Sequence, residues 1–190
     1  MVRSLVLRAL ISAALALAVF APATQARTLV DPATLTPPPQ SDAVCYEIGG
    51  GATQCDIYVL LEWVNEPAFD LPCGLVYETR YDERFVTRWF QDGLLVRRLV
   101  HQRAEGSWSL SPTGAAPVVT FVSQTNWGEV YTTPGDPNSN VGHQRGTDLL
   151  VMGPDGGVIS QISGRTHGPE EDFDGRFVFD DAAVCAALGG

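Results

Sequence analysis

Lysine is absent from this 190-residue chain: all twelve basic residues are arginine, against twenty-two acidic ones. The missing lysine is read as genome composition, and the acidity as a source of solubility. The net negative charge disfavours contact with nucleic acid or an anionic membrane surface, which depends on clustered positive charge. No CxxC pair occurs, and the three histidines His101, His143 and His167 show no HxH or HExxH spacing, which argues against zinc and catalytic metals. There is no GxSxG elbow, and Ser107 falls in a strand pattern, which argues against a serine hydrolase. Beyond residue 20 no apolar run is long enough to cross a bilayer.

The one long apolar run opens the chain. Arg3 and Arg8 precede an apolar stretch over residues 9–20, and Thr24-Gln25-Ala26 ends it with small residues. This is the pattern of a secretory signal peptide over residues 1–26, too short for a transmembrane anchor. No cysteine follows for a lipid anchor, and the arginines are not adjacent as a twin-arginine signal needs. Residues 27–190 would then carry ten arginines and a net charge of −12. The chain is expected to be secreted and extracellular, with no membrane insertion once the signal is removed.

All four cysteines, Cys45, Cys55, Cys73 and Cys185, lie in the exported part, where an even count implies disulfides. Three pairings exist, and Cys45–Cys55 with Cys73–Cys185 is the expectation. The first closes a turn through Gly49-Gly50-Gly51, and the second ties the start of the β region to the last segment. The chain-entropy model gives roughly 3 and roughly 5 kcal/mol for the two.

Residues 27–44 hold Pro32 and the run Pro37-Pro38-Pro39 and read as a flexible proline-rich arm. Residues 45–190 form a single domain. Residues 56–64 are apolar enough for a strand or a buried helical turn, ended by Pro67 and Pro72. From Leu75 onward the pattern is β, with candidate strands at 75–80, 83–90, 94–103, 106–110, 118–124, 127–132, 147–152, 158–163 and 176–179. Turn clusters between them, with no intervening helix, predict an antiparallel barrel of about eight strands, or alternatively a two-sheet sandwich. One short C-terminal helix follows, with Asp180 as cap, Asp181 in its first turn and Gly189 at its end.

The chain centres on residues 83–101, where two apolar runs flank Gln91-Asp92-Gly93. A two-residue loop would set Arg88 opposite Arg97, a like-charge pair that costs up to about 1 kcal/mol. A three-residue loop, which pairs Trp89 with Leu95 and Phe85 with Leu99, is therefore expected. It places Trp89, Arg97 and His101 on one inward face, as a candidate site for a small apolar molecule bearing a carboxylate. The opposing expectation is that Arg97 pairs with a core carboxylate such as Glu78 or Asp148.

Cys73-Gly74, Phe90-Gln91-Asp92-Gly93, His101, the turn over 153–157, Ser163-Gly164-Arg165 and Val184-Cys185-Ala186-Ala187-Leu188 together resemble a family of uncharacterised small secreted β-proteins of high-GC bacteria. The resemblance runs from Cys73 to Gly190 and departs across residues 128–142. It implies the β fold and brings no activity with it.

The run over residues 170–175 is the densest set of oxygen ligands, and Glu171, Asp172 and Asp174 are candidate Ca²⁺ ligands. Its spacing is not that of an EF-hand, and a solvated acidic face is the simpler reading, so no cofactor is expected. The sequence reads as a secreted binding or structural β module whose partner is a small molecule or another extracellular component. The alternative from another class is a cofactor-free β-barrel isomerase or cyclase acting on an apolar substrate.

Overall fold

The structure is a computed structural model that describes residues 27–167 and 172–190; the expected signal peptide lies outside them. Nine strands form one antiparallel sheet whose spatial order is the chain order. They are β1 (Leu29–Val30), β2 (Val44–Gly49), β3 (Ala52–Leu71), β4 (Gly74–Gln91), β5 (Leu94–Ser109), β6 (Val118–Tyr131), β7 (Asn140–Met152), β8 (Val158–His167) and β9 (Asp172–Val178). A helix, α1 (Asp181–Ala187), follows. The sheet is not closed into the expected barrel, and it is one sheet rather than a sandwich of two. Among the described residues β1 and β9 end the order and do not pair with each other.

The expected strands 75–80 and 83–90 are one strand, as are 94–103 with 106–110 and 118–124 with 127–132. The polar residues that suggested breaks are themselves paired, Tyr81 with Glu105 and Asp82 with Ala104. Residues 56–64 are strand and not helix. Pro67 does not end β3 but sits at a register shift, opposite Tyr77. Its missing N–H is tolerated because β2 pairs only with the start of β3, so Pro67 lies on a free edge.

The hairpin register differs from both expectations. Asp92 and Gly93 form a two-residue turn with φ values of 50° and 80°, and Phe90 pairs with Leu95. A bulge at Val96 then advances the ladder, so that Trp89 faces Arg97, Phe85 faces His101 and Arg88 faces Arg98. Arg88 thus avoids Arg97 but meets a different arginine, Arg98. This opposition is offset because Arg98 is also the direct partner of Glu129 in β6 and donates a hydrogen bond to its carboxylate.

Two apolar clusters lie on one face of the sheet, at opposite ends of its long strands. The first holds Cys45, Cys55, Ile57, Phe90, Leu95 and Tyr131, covered by Leu35 and Ala43. The segment expected as a flexible arm is thus packed: Leu35 is buried, and Thr36 donates to Gly93 O and accepts from Leu95 N. The second cluster gathers Val76, Trp108, Val119, Phe121 and Val151 under Val184 of α1 and Leu188 at its C-terminal cap. Asp180 caps that helix by accepting from Ala183 N at 2.9 Å. Both expected disulfides are present: Cys45–Cys55 joins directly paired residues of β2 and β3, and Cys73–Cys185 fastens α1 to the β3–β4 turn. Two disulfides fit an oxidising compartment. No helix among the described residues is long and apolar enough to cross a membrane.

Candidate functional site

Side chains alternate between faces along each strand, so the register assigns every polar group to the face carrying the two clusters or to the opposite, open face. On the capped face a polar belt separates the clusters. Asp82, fully buried, accepts from Arg80 at 2.9 Å, Arg84 at 2.8 Å and Gln102 at 2.8 Å. Further along the strands stand Arg88 of β4, Arg98 of β5, and Glu129 and Tyr131 of β6, where the Tyr131 hydroxyl donates to Glu129 at 2.6 Å. Burial, reinforced by Glu129, pushes the Tyr131 hydroxyl up to about 12. Burial and the facing Arg98 lower Arg88 from the usual guanidinium range. Asp82 and Glu129 are thus paired with Arg80, Arg84 and Arg98, while Arg88 makes no ion pair among the described residues and the Nε atoms of Arg80, Arg88 and Arg98 are buried without a hydrogen-bond partner.

The open face carries a different arrangement. Six directly paired residues cross six strands in one row: Tyr58, Phe85, His101, Asn126, Arg145 and Arg165. At the strand spacing of about 4.8 Å this row is roughly 24 Å long. Tyr58 and Phe85 are 57% and 44% exposed, which leaves their rings free for contact. A shallow pocket of about 220 Å³ lies between them, His101 and Asn126. A second hollow continues from Asn126 past Arg145 and Arg165 to Asp174 of β9. His101 Nδ1 is hydrogen-bonded to Asn126 Oδ1, which fixes the middle of the row.

Arg145 and Arg165 face each other across the β7–β8 ladder, the second like-charge arginine pair in the sheet. Unlike Arg98, neither makes an ion pair or side-chain hydrogen bond among the described residues. The backbone beside them is drawn in at Gly146, where a Cβ would come within 2.2 Å of Gln124 O.

Trp89, Arg97 and His101 do share one face, as the sequence suggested, but it is the open face and not an enclosed interior. Arg97 and His101 are exposed. The Arg97 guanidinium lies over the Trp89 ring at 4.9 Å from its centroid, while His101 sits four residues further along β5, about 13 Å away. The structure therefore places His101 in the row and Trp89–Arg97 beside it. The carboxylates considered as partners for Arg97 are engaged elsewhere: Glu78 accepts from the Trp108 indole at 2.9 Å, and Asp148 from Gln144. Of the candidate Ca²⁺ ligands, Glu171 and the side chain of Asp172 lie outside the described residues, and Asp174 is exposed opposite Arg165. Among the described residues no three His, Cys, Asp or Glu side chains are grouped to hold a metal.

Sequence reasoning missed Tyr58, Phe85, Asn126, Arg145 and Arg165. Their separations along the chain are set by long strands, turns and bulges, and no local motif marks them. The belt did leave a signal: Arg80, Asp82 and Arg84 alternate at the period of a strand.

Comparison with known proteins returns no match to a family model, a curated protein or a solved structure.

Proposed function

We propose that this chain is an exported binding module that holds a small ligand with an apolar body and a carboxylate across the open face of its sheet. The observation that carries this reading is the Arg145–Arg165 pair: two exposed guanidiniums on facing residues, neither of them in an ion pair among the described residues, although Asp174 stands across from Arg165. They stand in register with exposed rings. Guanidinium forks suit a carboxylate by bidentate hydrogen bonding, and the Tyr58 and Phe85 rings suit an apolar body. The separation from Phe85 to Arg145, three strand spacings or about 14 Å, fits a ligand of that length. The acidity of the rest of the chain disfavours long polyanions and favours a ligand with a single anionic end. His101 and Asn126 would line its middle, with Trp89 and Arg97 beside it.

The test is calorimetric titration with a series of ω-aryl alkanoic acids and their methyl esters. An acid of matching length is expected to bind and its ester to bind at least tenfold more weakly, a loss of about 1.4 kcal/mol. Joint replacement Arg145→Ala and Arg165→Ala should abolish the difference between acid and ester, while Phe85→Ala should weaken both alike. Equal affinity for acid and ester in the unaltered protein, or no binding of any member, contradicts the reading.

A further inference from the structure

β2 covers β3 only from Ala52 to Asp56, yet β3 continues to Leu71. From residue 57 onward its outer edge has no neighbouring strand among the described residues. An antiparallel edge strand turns the N–H and C=O of every second residue away from its sheet, ready to pair with another strand. Natural edges are commonly blunted by lysine, proline, bulges or very short length. Here the first register shift comes only after Trp63, so residues 57–63 present an uninterrupted ladder. Their side chains are apolar on both faces except Glu62; Tyr58, Leu60 and Val64 are 57%, 59% and 55% exposed.

Charge identifies what this edge accepts. Ala52–Leu71 carries Asp56, Glu62, Glu66 and Asp70 and no basic residue. Glu83, paired with Leu60, adds a further carboxylate on the open face. A second copy of the chain would bring two acidic edges together, each in a molecule already strongly negative. Like charges directly opposed across strands are destabilising. A strand in which apolar residues alternate with arginine or lysine would instead satisfy the backbone groups, cover Leu60 and Val64, and bring positive charge to Glu62 and Glu83.

We infer that the free edge of β3 over residues 57–64 is a docking surface for an extended, basic segment of a partner protein, which adds a tenth strand to the sheet. This surface is separate from the arginine pair on β7 and β8 and does not depend on the ligand proposed for it.

The experiment uses the full chain, purified after secretion, and three ten-residue peptides. One alternates valine with arginine, the second alternates valine with glutamate, and the third is the arginine peptide with alternate backbone nitrogens methylated. The arginine peptide is expected to bind with a Kd of about 10–100 μM, while the glutamate and methylated peptides bind at least tenfold more weakly. Bound peptide should slow amide exchange in residues 57–64. The double variant Glu62→Arg and Glu66→Arg, which alters only exposed side chains, should reverse the preference between the arginine and glutamate peptides. Binding of the methylated peptide as tight as the arginine peptide would overturn the inference, since it would reflect charge alone. So would no binding of the arginine peptide at about 1 mM. Sedimentation showing a dimer that Leu60→Lys dissociates would also overturn it, assigning the edge to a second copy.

Discussion

Arg88 and Tyr131 show how one residue's environment is set by strands far away in sequence. Arg88 faces Arg98 because the bulge at Val96 moved the ladder by one, and Glu129 two strands away makes that pairing tolerable. Tyr131 completes the group by donating a hydrogen bond to Glu129. Because its folded-state pKa lies above its ordinary value of 10, the neutral hydroxyl is the form that folding favours. The stability it contributes is fully present below pH 10 and is lost as the pH rises towards about 12. Tyr131→Phe is expected to cost about 1.5–3 kcal/mol at pH 8, the value of a hydrogen bond to a charged acceptor. That cost should shrink towards zero near pH 12. Urea denaturation midpoints of both proteins across this range check it; a difference that stays constant with pH would contradict the assignment. The alternation Arg80-x-Asp82-x-Arg84 is legible in the sequence as a strand face. The partnership of Arg98 with Glu129, thirty-one residues away, is not, because it depends on a register that one inserted residue changes.

Elements were read in the sequence more easily than their lengths. The Asp92-Gly93 turn, the terminal helix with its Asp180 cap, and most strands lie where local chemistry places them. The breaks inside β4, β5 and β6 were misread, because a charged or small residue in a long strand looks like a turn when its cross-strand partner is unknown. The hairpin register was misread for a related reason: the cost of opposing two arginines was weighed without the third strand that supplies Glu129. At Gly146 the requirement is backbone geometry. Its φ of +140° and the approach of Gln124 O leave no room for a side chain. Gly146→Ala is therefore expected to destabilise the protein by roughly 1–3 kcal/mol, measured as a lowered urea midpoint, with binding at the neighbouring Arg145 weakened as β7 shifts. An unchanged midpoint would show that β7 does not pass this close to β6.

At the scale of the whole molecule, the sequence disclosed the staples but not the shape. Cysteine number and spacing pointed to Cys45–Cys55 and Cys73–Cys185, and both bridges are present. Whether a meander of strands closes on itself depends on accumulated twist, bulges and the lengths of its first and last strands, none of which is written in a local motif. Here the N-terminal segment and α1 each cover one end of the same face. The arginine belt lies between them, and the opposite face and the β3 edge are left exposed. A closed barrel would have hidden the β3 edge and moved the candidate ligand into an interior. An open sheet puts the ligand row on the surface.

Openness of the sheet is the claim on which both functional proposals stand. Residue-resolved amide hydrogen exchange of residues 57–64 in the free protein tests it most directly. An open sheet predicts alternation, with amides that face β4 strongly protected and those between them exchanging nearly as fast as in an unfolded chain. Uniform protection along all of residues 57–64 would mean that another strand already covers this edge, and would contradict the account.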